Sequence, residues 1–329
     1  MRNAYLYTPV NDGRGKDGYL GSQEYVAENP EYGAVFTYYL KGEQTLKTAE
    51  RTKKEKELNK AGTDIDFAGW DVLLAEKNET KEQHWVVITD VENKVVRKMQ
   101  VPSGKGLHRF TWDFSAENAM PINTGEKLNE NKNGGFRVGP GTYSITLYYV
   151  HQGKATPLTT PKSFDVIPLY PGTLPSKNDG VKNTFIAQYV AVSSRKSLLE
   201  YDFNQAKKQA SAMELALKRS PNSLGALESE LVDLNNELRN LDLLLEGNPL
   251  KDEVGEKNIP TINERIWAAS SALWGGNGYG PTTTAQQSLD IAERMLADFD
   301  AKLAVIKLKA ATIYEELKKS GAPVIRGME

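Results

Sequence analysis

Apolar residues recur with two different periods along this chain, and the change of period divides it. In the front half they alternate. YGAVFTYYLK (32–41), HWVVITD (84–90), KVVRKMQV (94–101), GLHRFTWDF (106–114) and TYSITLYYV (142–150) are rich in β-branched and aromatic residues, as strands are. TPKSFDVI (160–167) predicts one more strand. Side chains on a strand point to opposite faces in turn. In 106–114 this sets His108, Phe110, Trp112 and Phe114 on one face, with the two large rings Phe110 and Trp112 toward a core. Leu107, Arg109, Thr111 and Asp113 take the other face. VENK (91–94) predicts a hairpin turn and GPGTY (139–143) a turn into the next strand. The polar, Asn- and Gly-rich stretch 115–138 predicts a long loop. QTLKTAERTKKEKELNK (44–60) predicts a charged, solvated helix, and WDVLLAEKN (70–78) a second short helical turn.

LYPGTLPSKNDG (169–180) carries two prolines and two glycines and predicts a linker. Beyond it the period becomes helical. Leu224, Leu227, Leu231, Leu234, Leu238, Leu241 and Leu245 alternate steps of three and four, a heptad seam. The series from Leu296 through Phe299, Leu303, Ile306, Ala310 and Ile313 to Leu317 has the same rhythm. So has the series Leu199, Phe203, Ala206, Ala210, Met213 and Leu217. Ser223 is a candidate N-cap between two of these helices. A shorter helix is predicted at about 261–274 and a long one at about 282–320. Short connections imply antiparallel neighbours.

These patterns predict an α+β multidomain chain. Residues 1–30 are expected as an N-terminal extension. Residues 31–168 form an immunoglobulin- or fibronectin-III-like antiparallel β-sandwich with a helical insertion at 44–78. The linker 169–180 leads to an antiparallel four-helix bundle over 181–323.

Composition narrows the chemistry. The chain has 329 residues and no cysteine, which excludes disulfides, thiolate nucleophiles and Cys-based metal sites. A net charge of −2 supplies no field to gather nucleic acid or an anionic membrane. No apolar run approaches the ~18 residues that a membrane span requires. The opening MRNAYLYTPVNDGRGKDGYLG lacks the apolar centre of a signal peptide.

Candidate catalytic groups are sparse. His84, His108 and His151 lie on or beside different strands and form no paired-ligand spacing, so no metal site is expected. There is no GxSxG elbow and no P-loop. Asp64 with Asp66, and Asp90 with Asp113, are the carboxylate pairs that glycoside hydrolysis could draw on. A turn aspartate such as Asp90 more often bonds backbone, so no residue is assigned a catalytic role and no cofactor is expected. GGNGYGP (275–281) follows a helix and not a strand, and reads as an interhelical loop with Pro281 at a helix start and Thr282 to Thr284 capping nearby. Trp274 just before it and Tyr279 within it could stack on a sugar ring, which makes them the candidate ligand-binding residues.

NPEYGAVFTYYLK (29–41), VVITDVENKVVRKMQVPSGKGLHRFTWDF (86–114), GPGTYSITLYY (139–149) and the ending through GAPVI (321–325) resemble the C-terminal region of bacterial sortilin-like β-propeller proteins. Those proteins are often labelled glycosyl hydrolases with BNR repeats. The strand segments are also similar to a FlgD-like Ig module. The resemblance implies an extracytoplasmic protein whose ligand-binding or hydrolytic role sits in the propeller. No propeller repeat is present in this chain, and NAYLYTPV (3–10) is expected as the last strand of a propeller or the passage out of one. On this resemblance residues 1–30 are an N-terminal extension or a propeller-exit segment. The expected function is a non-catalytic scaffold that docks on a propeller or another protein. Carbohydrate binding through Trp70, Trp85, Trp112, Trp267 and Trp274, the last in its glycine loop foremost, and hydrolysis, are the alternatives.

Overall fold

The computed structural model describes residues 32–42, 45–127, 134–168, 179–221, 225–274 and 280–328. They belong to two compact units. The β unit takes its residues from Met1–Glu117 and Glu130–Ile167, the helical unit from Asn118–Asn129 and Pro168–Glu329.

The strands are β1 (Ala34–Leu40), β2 (Gln83–Thr89), β3 (Val95–Val101), β4 (Gly106–Trp112), β5 (Ser115–Glu117), β6 (Gly134–Arg137), β7 (Gly141–His151), β8 (Lys154–Pro157) and β9 (Lys162–Val166). Helices α1 (Lys47–Lys60) and α2 (Trp70–Lys77) lie between β1 and β2. The widest sheet runs β3-β2-β7, with β8 and β9 sharing the far edge of β7. β1 pairs antiparallel with β4, setting Ala34 opposite Trp112, and β5 pairs with β6. The alternation read from the sequence sets the core: Val86, Ile88 and Leu147 come from the wide sheet and Trp112 from the ribbon. Trp112 is 0% exposed. Its ring meets Phe114, Tyr143 and Phe164 edge-on at 5.4, 5.5 and 6.0 Å between centroids. Its Nε1–H donates to the Ser115 carbonyl at 2.8 Å, so the indole is buried without an orphan donor. Gly33 must be glycine: its φ is 145°, and a Cβ there would stand 2.1 Å from the Trp112 carbonyl oxygen.

The immunoglobulin-type sandwich is not what forms. The strands divide into sheets of two, five and two, and helix makes up about half of the described chain. The cause is local. Phe114 has φ 64°, so the chain turns out of β4 straight after Trp112, and β4 pairs with β1 alone. The expected loop 115–138 contains β5 and β6, and its residues Asn118–Asn129 belong to the helical unit.

The helical unit comprises α3 (Asp179–Lys218), α4 (Ala226–Glu246), α5 (Pro249–Glu253), α6 (Ile262–Trp274) and α7 (Thr283–Lys319). The 40 residues of α3 and 37 of α7 each span roughly 55–60 Å. They run parallel. Gln188 meets Asp290, Arg195 meets Asp300, Asp202 meets Lys307, and Ser220 meets Ser320, an almost constant offset. α4 runs the other way, because Lys207 meets Asp242 whereas Glu214 meets Asn235. α6 begins beside the end of α4, where Asn263 Nδ2 donates to Glu246 at 2.8 Å. It packs on α7 in the same core.

The predicted four-helix bundle is therefore corrected as well. α4 and α6, with 21 and 13 residues, follow one another as a broken return between α3 and α7. Each was legible as a helix, but the two occupy successive stretches of one lane. The break has identifiable parts. Gly247 ends α4 at φ 83°. The Asn258 side chain accepts from Asn248 N–H at 3.1 Å and donates to its carbonyl at 3.2 Å. Thr261 and Glu264 then form a reciprocal cap at the start of α6, at 2.8 and 3.1 Å. The α4 start is capped by Glu228, which accepts from Gly225 N–H at 2.7 Å; the candidate cap Ser223 lies outside the described residues. Thr282 caps α7 through Ala285 N–H at 3.1 Å.

Trp112→Ala is expected to destabilise the β unit by about 3–5 kcal/mol while the far-UV helical signal is retained; denaturant unfolding read by near- and far-UV circular dichroism checks both. Gly247→Ala is expected to destabilise the helical unit by more than about 1 kcal/mol, since the new Cβ is strained at positive φ; thermal unfolding of the helical signal measures it.

Candidate functional site

The tryptophans that could stack on a ligand have different fates. Trp112 is core. Trp85 is half-buried, with its Nε1–H donating to Gln83 at 3.0 Å. Trp274 is the last residue of α6, and its side chain lies outside the described residues, as does the whole of Tyr279. Trp267 and Trp70 stand out into solvent.

The structure gathers the histidines at one end of the β-unit core, which their separation in sequence concealed. His84 faces Tyr149 across β2 and β7, with ring centroids 5.6 Å apart. His151 follows Tyr149 on the same face of β7, centroids 6.2 Å apart. On the ribbon, His108 stacks on Tyr38 at 5.3 Å, and its Nε2–H donates to the Gly104 carbonyl at 2.9 Å. His84 is 3% exposed, and its Nδ1 lies 2.9 Å from Ser103 Oγ. Burial lowers the His84 pKa below 6.5; Glu82 opposes the shift and His108 adds to it. Burial also pushes the Tyr38 hydroxyl up to about 12. A Ser–His contact is the first element of an activated alcohol. Here the imidazole's affinity for a proton is reduced, the wrong direction for a base that must take one from serine. Among the described residues no three His, Asp or Glu side chains converge to hold a metal ion.

The carboxylates separate in the same way. Asp90 Oδ1 accepts from Glu92 and Lys94 N–H, both at 2.9 Å, and so holds the β2–β3 turn. Asp113 Oδ1 accepts from Ser115 N–H at 3.0 Å and from its hydroxyl. Both are structural. Asp64 and Asp66 lie instead on the exposed loop between α1 and α2.

That hairpin is the unusual surface. α1 buries no residue and α2 buries only Glu76. An ion pair ties the two: Arg51 Nε–H donates to both Glu76 oxygens at 2.9 Å, and Arg51 Nη1–H donates to Glu55 at 2.6 Å. These partners raise the Arg51 pKa, Glu55 first and then Glu76. Lys47 N–H donates to Glu79 at 2.8 Å, closing the hairpin's base. Leu73 and Glu76 turn inward, so Trp70 and Leu74, one turn apart on α2, turn outward. Trp70 is 77% exposed and Phe67 64%. Their rings pack edge-on at 5.1 Å. Beside them opens a cleft of about 310 Å³ whose lining includes Arg51, Glu55, Ile65, Asp66, Phe67 and Leu73. Trp70 was among the candidate stackers in the sequence. Its neighbour Phe67 was missed, because the signal is an aromatic pair three residues apart across a helix start, not a periodic pattern.

Comparison with family models, with curated proteins and with solved structures finds no match to this chain. No helix of the described residues is long and apolar enough to cross a membrane.

The His84 shift makes the stability of the β unit depend on pH. A base whose pKa is lower when folded leaves the unfolded chain binding more protons below about pH 6.5. Stability is then full above that value and falls as pH drops toward the folded pKa. The melting midpoint of the β unit is expected to fall between about pH 7.5 and 5.5, and His84→Gln is expected to flatten that dependence; calorimetry across this range checks it.

Proposed function

We propose that this chain is a non-catalytic interaction module that holds a protein partner on its α1–α2 hairpin. The observation that carries the reading is the exposure of Phe67 and Trp70 on a hairpin that gives no apolar side chain to a core. Two large rings in water are unfavourable unless something covers them. Burying one fully is worth roughly 1.5–3 kcal/mol, and aromatic anchors dominate protein interfaces. The Arg51–Glu76 pair supports the reading, since it holds both helices without a core. The aspartates Asp90 and Asp113 are committed to turns, which removes one carboxylate pair from any hydrolytic reading. The resemblance to sortilin-like proteins makes an extracytoplasmic β-propeller the partner to try first.

The test places a photo-crosslinking phenylalanine analogue at position 70 and, as a control, at the exposed Leu107 of β4. Irradiation in the producing cell is expected to give one discrete protein adduct at 70 that Phe67→Ser diminishes, and none at 107. Absence of any adduct at 70 overturns the reading.

A further inference from the structure

We infer that the hairpin cleft receives a cationic side chain, the guanidinium of Arg or the ammonium of Lys, presented by the protein partner. The inference deepens the docking reading and rests on it. Two independent features point to the same ligand chemistry. The first is charge. The cleft is lined by Arg51, Glu55 and Asp66, and Arg51 is already shared between Glu55 and the 8%-exposed Glu76. Among the residues that line it, one fixed cation, Arg51, therefore stands against two carboxylates, Glu55 and Asp66, and the surplus is negative. Asp66 takes no part in holding the hairpin: among the described residues it makes no hydrogen bond or ion pair. Its carboxylate is free to accept one.

The second feature is the aromatic pair. Phe67 forms part of the cleft wall, and the exposed Trp70 packs edge-on against it, so that an exposed aromatic pair borders the negative opening. A cation is drawn to the face of Trp or Phe by the ring quadrupole. An anion would be repelled both by these faces and by the carboxylates. The cleft, about 310 Å³, lies at the lower end of the range for specific pockets and suits one long side chain. The lysines of α1 do not line it. A neutral sugar could stack on Trp70, but it would leave the surplus charge uncompensated.

The experiment uses the full chain and defined probes: a peptide alternating Arg and Gly, its Glu–Gly and Ser–Gly counterparts, and cellohexaose. Binding is followed by NMR at the Trp70 indole N–H, assigned with Trp70→Phe. The arginine peptide is expected to give a saturable shift that weakens with added salt. Asp66→Asn is expected to weaken it about three- to fivefold, Asp66→Lys to abolish it, and Trp70→Ala, followed at the Asp66 and Phe67 backbone amides in place of the lost indole, to weaken binding with the α1 amide resonances unmoved. Equal binding of the Glu–Gly or Ser–Gly peptide, binding of cellohexaose with the arginine peptide silent, or indifference to Asp66→Lys would each overturn the inference. A silent arginine peptide beside an intact crosslink at position 70 overturns the cation inference alone. An arginine peptide that binds without any crosslink in the cell sustains the cleft's chemistry and overturns the docking reading.

Discussion

Two helices that run side by side in the same direction cannot be joined by a short turn. α3 and α7 do so over most of their length, and the rest of the helical unit follows from the return they need. Close to 60 Å must be covered backward. α4 covers the first part and α6 the second, with Gly247, Asn248, Asn258 and Thr261 making the joint. The core is continuous across that joint: Leu245 on one side and Ile262 on the other are both buried in the same cluster. The break therefore interrupts the backbone without interrupting the packing.

The β unit depends on a more local constraint. Trp112 is the largest fully buried side chain there, and the neighbouring chain is arranged around it. Gly33 has no side chain, so β1 can approach the Trp112 carbonyl. Phe114 turns at positive φ and sets its ring against the indole. Ser115 gives its carbonyl to the indole N–H while Asp113 holds the turn. A tryptophan buried this way fixes the exit from β4, and that exit prevents the ribbon from growing into a second broad sheet.

The elements were legible because period is a local property. Leu231, Leu234, Leu238, Leu241 and Leu245 announce α4, and all five are buried. His108, Phe110 and Trp112 were placed on the inner face by alternation alone, and Leu107 is exposed as that pattern requires. Architecture was not legible, because periodicity does not say which helices share a lane or which strands share a sheet. The Asn248–Asn258 joint and the φ of Phe114 leave no periodic trace. The candidate surface was half visible. Trp70 could be named from the sequence, but that Leu73 turns in and Trp70 turns out depends on the Arg51–Glu76 pair, which joins residues 25 positions apart.

The segment Asn118–Asn129 has a consequence for how the molecule is made. It lies within the stretch of chain that builds the β unit, yet it belongs with the helices, where the Ala119 carbonyl and Met120 sulfur accept from the Ser194 hydroxyl at 3.4 and 3.7 Å. No single cut along the backbone releases both units intact. A ribosome, which emits the chain from one end, delivers this strip before the surface that receives it, so the strip stays uncovered until some seventy further residues have emerged.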